Sequence, residues 1–173
     1  MASEQKLPFK ISVLVFVRNA AGDLLLIERM HSPNKGLMSP IGGKLEMQLG
    51  ESPFECAIRE TREEIGLVLC PEDLHMFCIV SEKGYEGGCH WLMFLFECRK
   101  RIDKLPETID EGAFRFVSPD DIFSGKVKIP DTDRLLFWDI WRERRGGGLV
   151  VLSADCRAGV RADVHEVICD KNQ

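Results

Sequence analysis

The chain has 173 residues, 45% of them hydrophobic and 29% charged, with a formal net charge of -5. That is enough apolar material for one packed domain with no need for a second, and the balance excludes a disordered chain. The acidic excess argues against DNA or RNA polymers as partners, because such binding depends on basic surface neutralising phosphates. A phosphorylated small molecule can still bind an acidic protein when a metal ion stands between the charges.

The segment Met1 to Lys10 is polar and lacks the apolar core of a signal peptide. Ile11 to Val17 is rich in β-branched residues and predicts a strand. Asn19 to Asp23 predicts a turn, and Leu24 to Ile27 a second strand, which together read as a hairpin. Met30 to Lys35 predicts a loop, and Gly36 to Gly43 a short extended segment ending at a glycine pair. A helix starts near Ser52, where Ser52 and Glu55 fit a capping box and Pro53 takes the first helical position. Phe54, Ala57, Ile58 and Ile65 trace its buried face, and Gly66 suits its end.

Strands are expected near 76–81, 90–97 and 114–117, with a turn over 83–88. Trp91 to Phe96 is the longest apolar run and fits a buried strand, too short to cross a bilayer. Trp91, Phe94 and Phe96 read as core residues. Ser118-Pro119-Asp120-Asp121 predicts a helix start, and 132–144 a second long helix ended by Gly146-Gly147-Gly148. Residues 149–152 and 160–168 predict a terminal strand pair. The core is expected over about 9–145 and this pair over about 148–169, within one domain.

The seven cysteines are Cys56, Cys70, Cys78, Cys89, Cys98, Cys156 and Cys169. Their odd number and the lack of a CxxC pair argue against a zinc site or disulfide framework, and point to a reducing cytoplasm. Of the histidines, His31 falls in a loop near the expected cleft, while His75, His90 and His165 read as structural or exposed.

The chemistry lies in Arg59-Glu60-Thr61-Arg62-Glu63-Glu64-Ile65-Gly66-Leu67. Glu60, Glu63 and Glu64 stand at i, i+3 and i+4, on one helical face. Three adjacent carboxylates repel each other and make sense around a hard divalent cation such as Mg2+ or Mn2+. The plain alternative is a solvated face, with Arg59 and Glu63 as an i,i+4 pair.

Gly50-Glu51 leads into this helix, and seven residues separate Glu51 from Arg59. The segment Glu51 to Leu67 resembles the Nudix box at every charged and glycine position. Two departures stand out: Gly43 lies eight positions before Glu51 where the pattern has six, and Thr61 replaces an aliphatic residue. The resemblance implies an α/β fold, the Nudix α/β/α sandwich with a mixed sheet. It also implies a metal-dependent pyrophosphohydrolase acting on a small nucleotide substrate, as a monomer or homodimer.

By the same resemblance, Glu60, Glu63 and Glu64 are metal ligands, with the Gly42 carbonyl as a further one. Arg59 orients a box glutamate and Glu51 supports the loop. Glu111 either completes the metal site or is a surface turn acid, and Glu60 or Glu111 is the general base. Arg29 and Lys44 either bind phosphate or are surface charges.

The segments at Asn34 to Leu37 and Ile129 to Asp133, with the terminal strand pair, resemble the branch acting on oxidised purine nucleoside triphosphates. There Asp131 and Asp133 would read the base; otherwise they cap the following helix. Tyr85 resembles a feature of the dinucleoside polyphosphate branch. Nucleoside-diphosphate-sugar hydrolysis and a non-catalytic nucleotide-binding module complete the alternatives.

Overall fold

The structure, a computed structural model, describes residues 7–169 apart from 33 and 86. The first six residues of the polar start, Pro33 in the first loop and Glu86 in the later turn lie outside the described residues.

Among the described residues eight strands form one mixed sheet: β1 (Phe9–Arg18), β2 (Leu24–Arg29), β3 (Met38–Ser39), β4 (Leu74–Tyr85), β5 (Cys89–Arg101), β6 (Gly112–Val117), β7 (Leu149–Asp155) and β8 (Arg161–Ile168). Their order is β3-β2-β1-β5-β4-β7-β8, and β6 also pairs with β2. The β1–β2 turn is present, but the two strands pair only at Arg18 and Leu24. The expected hairpin is therefore open. β1 runs parallel to β5 over most of its length, while β2 pairs with β6 and β3. Splaying β1 from β2 leaves room for the backbone at Ile41 and Gly43, whose carbonyls accept from Val15 and Val13.

Alternation along the strands feeds two cores. Val13, Val15, Val17, Leu25, Ile27 and Phe96 pack with Cys56 and Ala57 of α1 (Pro53–Ile65). Phe16, Leu24 and Leu26 face the other way, against Trp138 and Trp141 of α3 (Trp138–Arg144). Phe16 meets Phe77 and Trp138 edge-on, at centroid distances of 5.1 and 5.0 Å. Helices thus cover both faces. A short α2 (Pro119–Phe123) starts at Ser118, whose side chain accepts from the Asp121 amide.

The helix expected over 132–144 is interrupted. Asp133–Phe137 forms a π-helical turn, in which the Trp138 amide reaches back to the Asp133 carbonyl. Among the described residues no side chain caps this segment, and Asp133 lies within it. The capping alternative for Asp131 and Asp133 is overturned: Asp131 instead pairs with Arg134 on the surface, and Asp133 is buried.

β7 runs parallel to β4, and β8 pairs antiparallel with β7. The chain beyond the glycine run therefore widens the same sheet. All seven cysteines are free. No helix among the described residues is long and apolar enough to cross a membrane.

Candidate active site

The acid-bearing helix α1 is fixed at both ends by local chemistry. Ser52 Oγ accepts from the Glu55 amide at 3.3 Å, and the Glu55 carboxylate accepts from the Ser52 amide at 2.8 Å. Gly66 closes the helix in a left-handed conformation (φ 70°), its amide bonded to the Arg62 carbonyl. Thr61 is fully buried, and its hydroxyl donates to the Ala57 carbonyl at 2.7 Å. A threonine is thus accommodated where the box pattern has an aliphatic residue, since the hydroxyl is satisfied within the helix.

The glycine pair brings backbone against this helix. Gly42 has φ 140°, and a Cβ there would run into the Val13 carbonyl. A Cβ on Gly43 would run into the Glu60 carboxylate. Only glycines let the loop pass between β1 and Glu60. The extra loop length is taken up by a 3-10 turn at Met47–Leu49, ended by Gly50 in the left-handed region.

Arg59 ties these parts together. Its guanidinium donates to both oxygens of Glu51 at 2.8 and 2.9 Å, to Glu60 at 2.8 Å, to Glu63 at 3.1 Å and to the Lys44 carbonyl at 3.1 Å. Glu51 in turn accepts from the Glu46 amide at 2.7 Å, pinning the loop. The hydrogen bond from Arg59 holds the Glu51 carboxyl below the usual carboxylate range.

The three glutamates are not equivalent. Glu63 is half-exposed and tied to Arg59, whereas Glu60 and Glu64 are largely buried. Burial raises the pKa of Glu60, with Arg59 opposing and the charges of Glu63 and Glu111 adding to the rise. Burial pushes Glu64 up to about 8, reinforced by Glu111 and Glu60 and offset by Arg29. Among the described residues neither Glu64 oxygen has a well-formed hydrogen bond; the Gly42 backbone approaches it and only partly offsets the rise. A buried acid left in this way is costly unless a charge compensates it. This orphaned carboxylate fits a cation. Among the described residues no three His, Cys, Asp or Glu side chains are gathered into a ready-made cage. Such a donor set suits a cation that completes its shell with water and substrate oxygens.

Beside these acids opens a cavity of about 440 Å³, within the range of small-molecule sites. Gly42, Gly43, Lys44, Arg59, Glu60 and Glu111 line one end, with Arg29, which lies 3.8 Å from Glu111. Asp133 lines the other end. Asp131, Glu51, Glu63 and His31 do not line it, and neither does Glu64, which lies behind Glu60 within electrostatic reach of Glu111 and Arg29.

The sequence reading passed over Ser12, Leu14, Glu82, Trp91 and Met93, which also line the cavity. Trp91, expected in the core, packs there and also forms cavity wall. Glu82 fell just past the strand expected over 76–81, and β4 in fact continues through it to Tyr85. Tyr85 donates to Asn34 Oδ1 at 2.5 Å, joining the end of β4 to the loop that follows β2.

A model of the NUDIX domain matches residues 8–138, well over half of the chain. The chain belongs to the Nudix family. Solved structures agree on the fold. A MutT protein from Methanosarcina mazei is similar with a TM-score of 0.67 at 24% identity, covering 81% of this Nudix chain and 98% of that one. A mutator MutT protein from Bacillus halodurans has a TM-score of 0.67 at 18% identity, covering 90% and 97%. The NUDIX domain of Shewanella oneidensis NrtR, solved with ADP ribose, has a TM-score of 0.63 at 15% identity, covering 82% and 90%.

Proposed function

We propose that this Nudix chain is a divalent-metal-dependent pyrophosphohydrolase that converts a nucleoside triphosphate to the monophosphate and pyrophosphate. The orphaned Glu64 carboxylate, beside a cavity that gathers Arg29, Lys44, Arg59 and Glu60, carries this reading. Glu60 and Glu64, with the Gly42 carbonyl, would hold magnesium, or manganese in its place, and Glu63 and Glu111 would complete the set from the rim. Bound there, the ion neutralises diphosphate oxygens and acidifies water.

Arg59 keeps Glu60 turned into the cavity, and Glu51 fixes Arg59 from behind. Arg29 and Lys44 would take the phosphate oxygens left uncovered. A water oxygen bonds to phosphorus, the anhydride P–O bond breaks, and pyrophosphate leaves with the electron pair. Glu60, or Glu111 at the cavity rim, takes the water proton. Placing the diphosphate at α1 leaves the base at the far end, beside Asp133 and away from Asp131.

The test is pyrophosphate release from a panel of nucleoside triphosphates, dinucleoside polyphosphates, nucleoside-diphosphate sugars and ADP-ribose, with and without magnesium. Triphosphates should be cleaved only with metal. Cleavage confined to the diphosphate-linked compounds would reassign the substrate, and no cleavage at all would leave a binding module. Glu60→Gln and Glu111→Gln, compared across pH, separate the two candidate bases.

A further inference from the structure

Away from the cavity, beside Trp141, three arginines from distant parts of the chain gather around one acid. Arg18 and Arg101 stand opposite each other where β1 and β5 end. Like charges placed opposite in a sheet repel. The carboxylate that serves both is Glu97, 2% exposed. It accepts from Arg18 at 2.5 and 2.8 Å and from Trp141 Nε1 at 2.7 Å. Arg101 lies 3.8 Å from it, too far for a hydrogen bond, while its other amino group donates to the carbonyls of Cys98, Arg99 and Lys100. Arg145 follows α3 directly, and its guanidinium stacks on the Trp141 ring at 4.4 Å, with Arg18 at 5.8 Å from the same ring. His75, opposite Glu97 in β4, meets the Arg144 carbonyl at 3.0 Å and steadies the turn that delivers Arg145.

Arg18 and Trp141 already satisfy both Glu97 oxygens, so Arg101 and Arg145 are surplus to that task. Arg145 makes no ion pair among the described residues. The neighbouring acids are engaged elsewhere: Asp103 accepts from the Ala20 amide, and Asp139 pairs with Arg142. Glu143 is exposed, and its spacing puts it on the side of α3 away from Trp141. Positive charge is therefore in local excess in a chain whose net charge is -5. Burial and the charges of Arg18 and Arg101 lower the Arg145 pKa, with Glu97 opposing. Stacking uses the flat face of Arg145 and leaves its N–H edge free to donate. Arg18 and Arg101 keep 18% and 34% of their side chains exposed, so solvent reaches the cluster.

We propose that Arg18, Arg101 and Arg145 form a separate ligand site that binds a phosphate-type oxyanion, either a free inorganic ion or the phosphate of an organic molecule. Such an anion supplies the negative charge the cluster lacks. Its several oxygens can accept from the N–H edges of Arg145 and Arg101 at once, which a lone carboxylate behind them cannot do. Leu14 lines the cavity, and Arg18 stands four residues further along β1, roughly 13 Å away at the rise of a strand. The site therefore needs no metal and does not depend on the hydrolase reading.

The measurement is calorimetric titration of the full chain in EDTA, at fixed ionic strength, with inorganic phosphate, pyrophosphate and ribose 5-phosphate. At least one probe should bind with a Kd below about 1 mM. Tightest binding of an inorganic ion identifies a free anion as the ligand, and tightest binding of ribose 5-phosphate an organic one. Arg145→Gln and Arg101→Gln should each weaken that binding about tenfold or more, because each removes a charged donor. Arg29→Gln, which alters the cavity, should leave it unchanged. The bound probe should also raise the melting temperature of the unaltered chain and not that of Arg145→Gln. Absence of binding by all three probes, equal stabilisation by chloride, undiminished affinity in both Arg145→Gln and Arg101→Gln, or loss confined to Arg29→Gln overturns the proposal.

Discussion

The two ends of the cavity handle buried acid in opposite ways. At the α1 end, Arg59 grips Glu51, Glu60 and Glu63, and Arg29 sits beside Glu111. Glu64 alone is left there without a well-formed hydrogen bond among the described residues. At the far end no arginine or lysine among the described residues pairs with Glu82 or Asp133, and burial suppresses their charge. Arg59 aims the first group, whereas burial pushes the second towards its protonated form. One end is thus suited to hold a metal and the other to exchange hydrogen bonds with a neutral ring.

If the contrast is right, the largest effect comes from Glu64→Gln. Turnover should fall by more than about a hundredfold, beyond what loss of an outer-shell group costs. Magnesium should raise the melting temperature of the unaltered chain through preferential binding to the folded state, and that rise should vanish in the variant. Normal turnover in Glu64→Gln would sink the assignment.

Arg59→Lys keeps a charge but not the planar fork that serves three carboxylates. Activity is expected to drop about 10- to 100-fold, read as kcat, with a weaker magnesium dependence. Gly43→Ala should fall in a similar range, because the new methyl displaces Glu60 while the helix caps remain.

Glu82→Gln distinguishes the far end by its pH dependence. Burial raises the Glu82 pKa from 4.5 in the unfolded chain to about 7 in the folded one. The folded state therefore holds more protons between those values, and stability falls as pH rises through that window. The variant should melt roughly 3 °C or more above the unaltered chain at pH 8, with little difference at pH 4. An equal shift at both pH values would contradict the buried-acid account.

The smallest effect is expected for Asp131→Ala. Its carboxylate pairs with Arg134 at an exposed site, so stability should change by less than about 1 kcal/mol and kcat/KM should stay put. A raised KM would return Asp131 to the site.

The α1 end was legible because its parts are local. A capping box, a glycine stop and acids at helical spacing are encoded within a few residues of one another. The strands were legible too, from alternation and turn residues. Pairing was not: the β1–β2 turn suggested a hairpin, and only the tertiary fold shows β1 taken by β5. The far end depends on such pairing. Glu82 and Asp133 lie 51 positions apart, and no spacing links them. Trp91 read as core because a cavity wall and a core position look alike in an apolar strand.

The π-helical turn carries one residue more per turn than an α-helix would. That surplus lets two requirements coexist: Trp138 and Trp141 lock into the core, while Asp133 points into the cavity. Each residue in an α-helix advances the face by about 100°. Deleting exposed Leu135 would restore regular winding and leave the tryptophans seated, but it would swing Asp133 off the cavity by that angle. The length of this single turn is thus a setting, and a one-residue change in it could retune what the site accepts without altering any residue that touches the ligand.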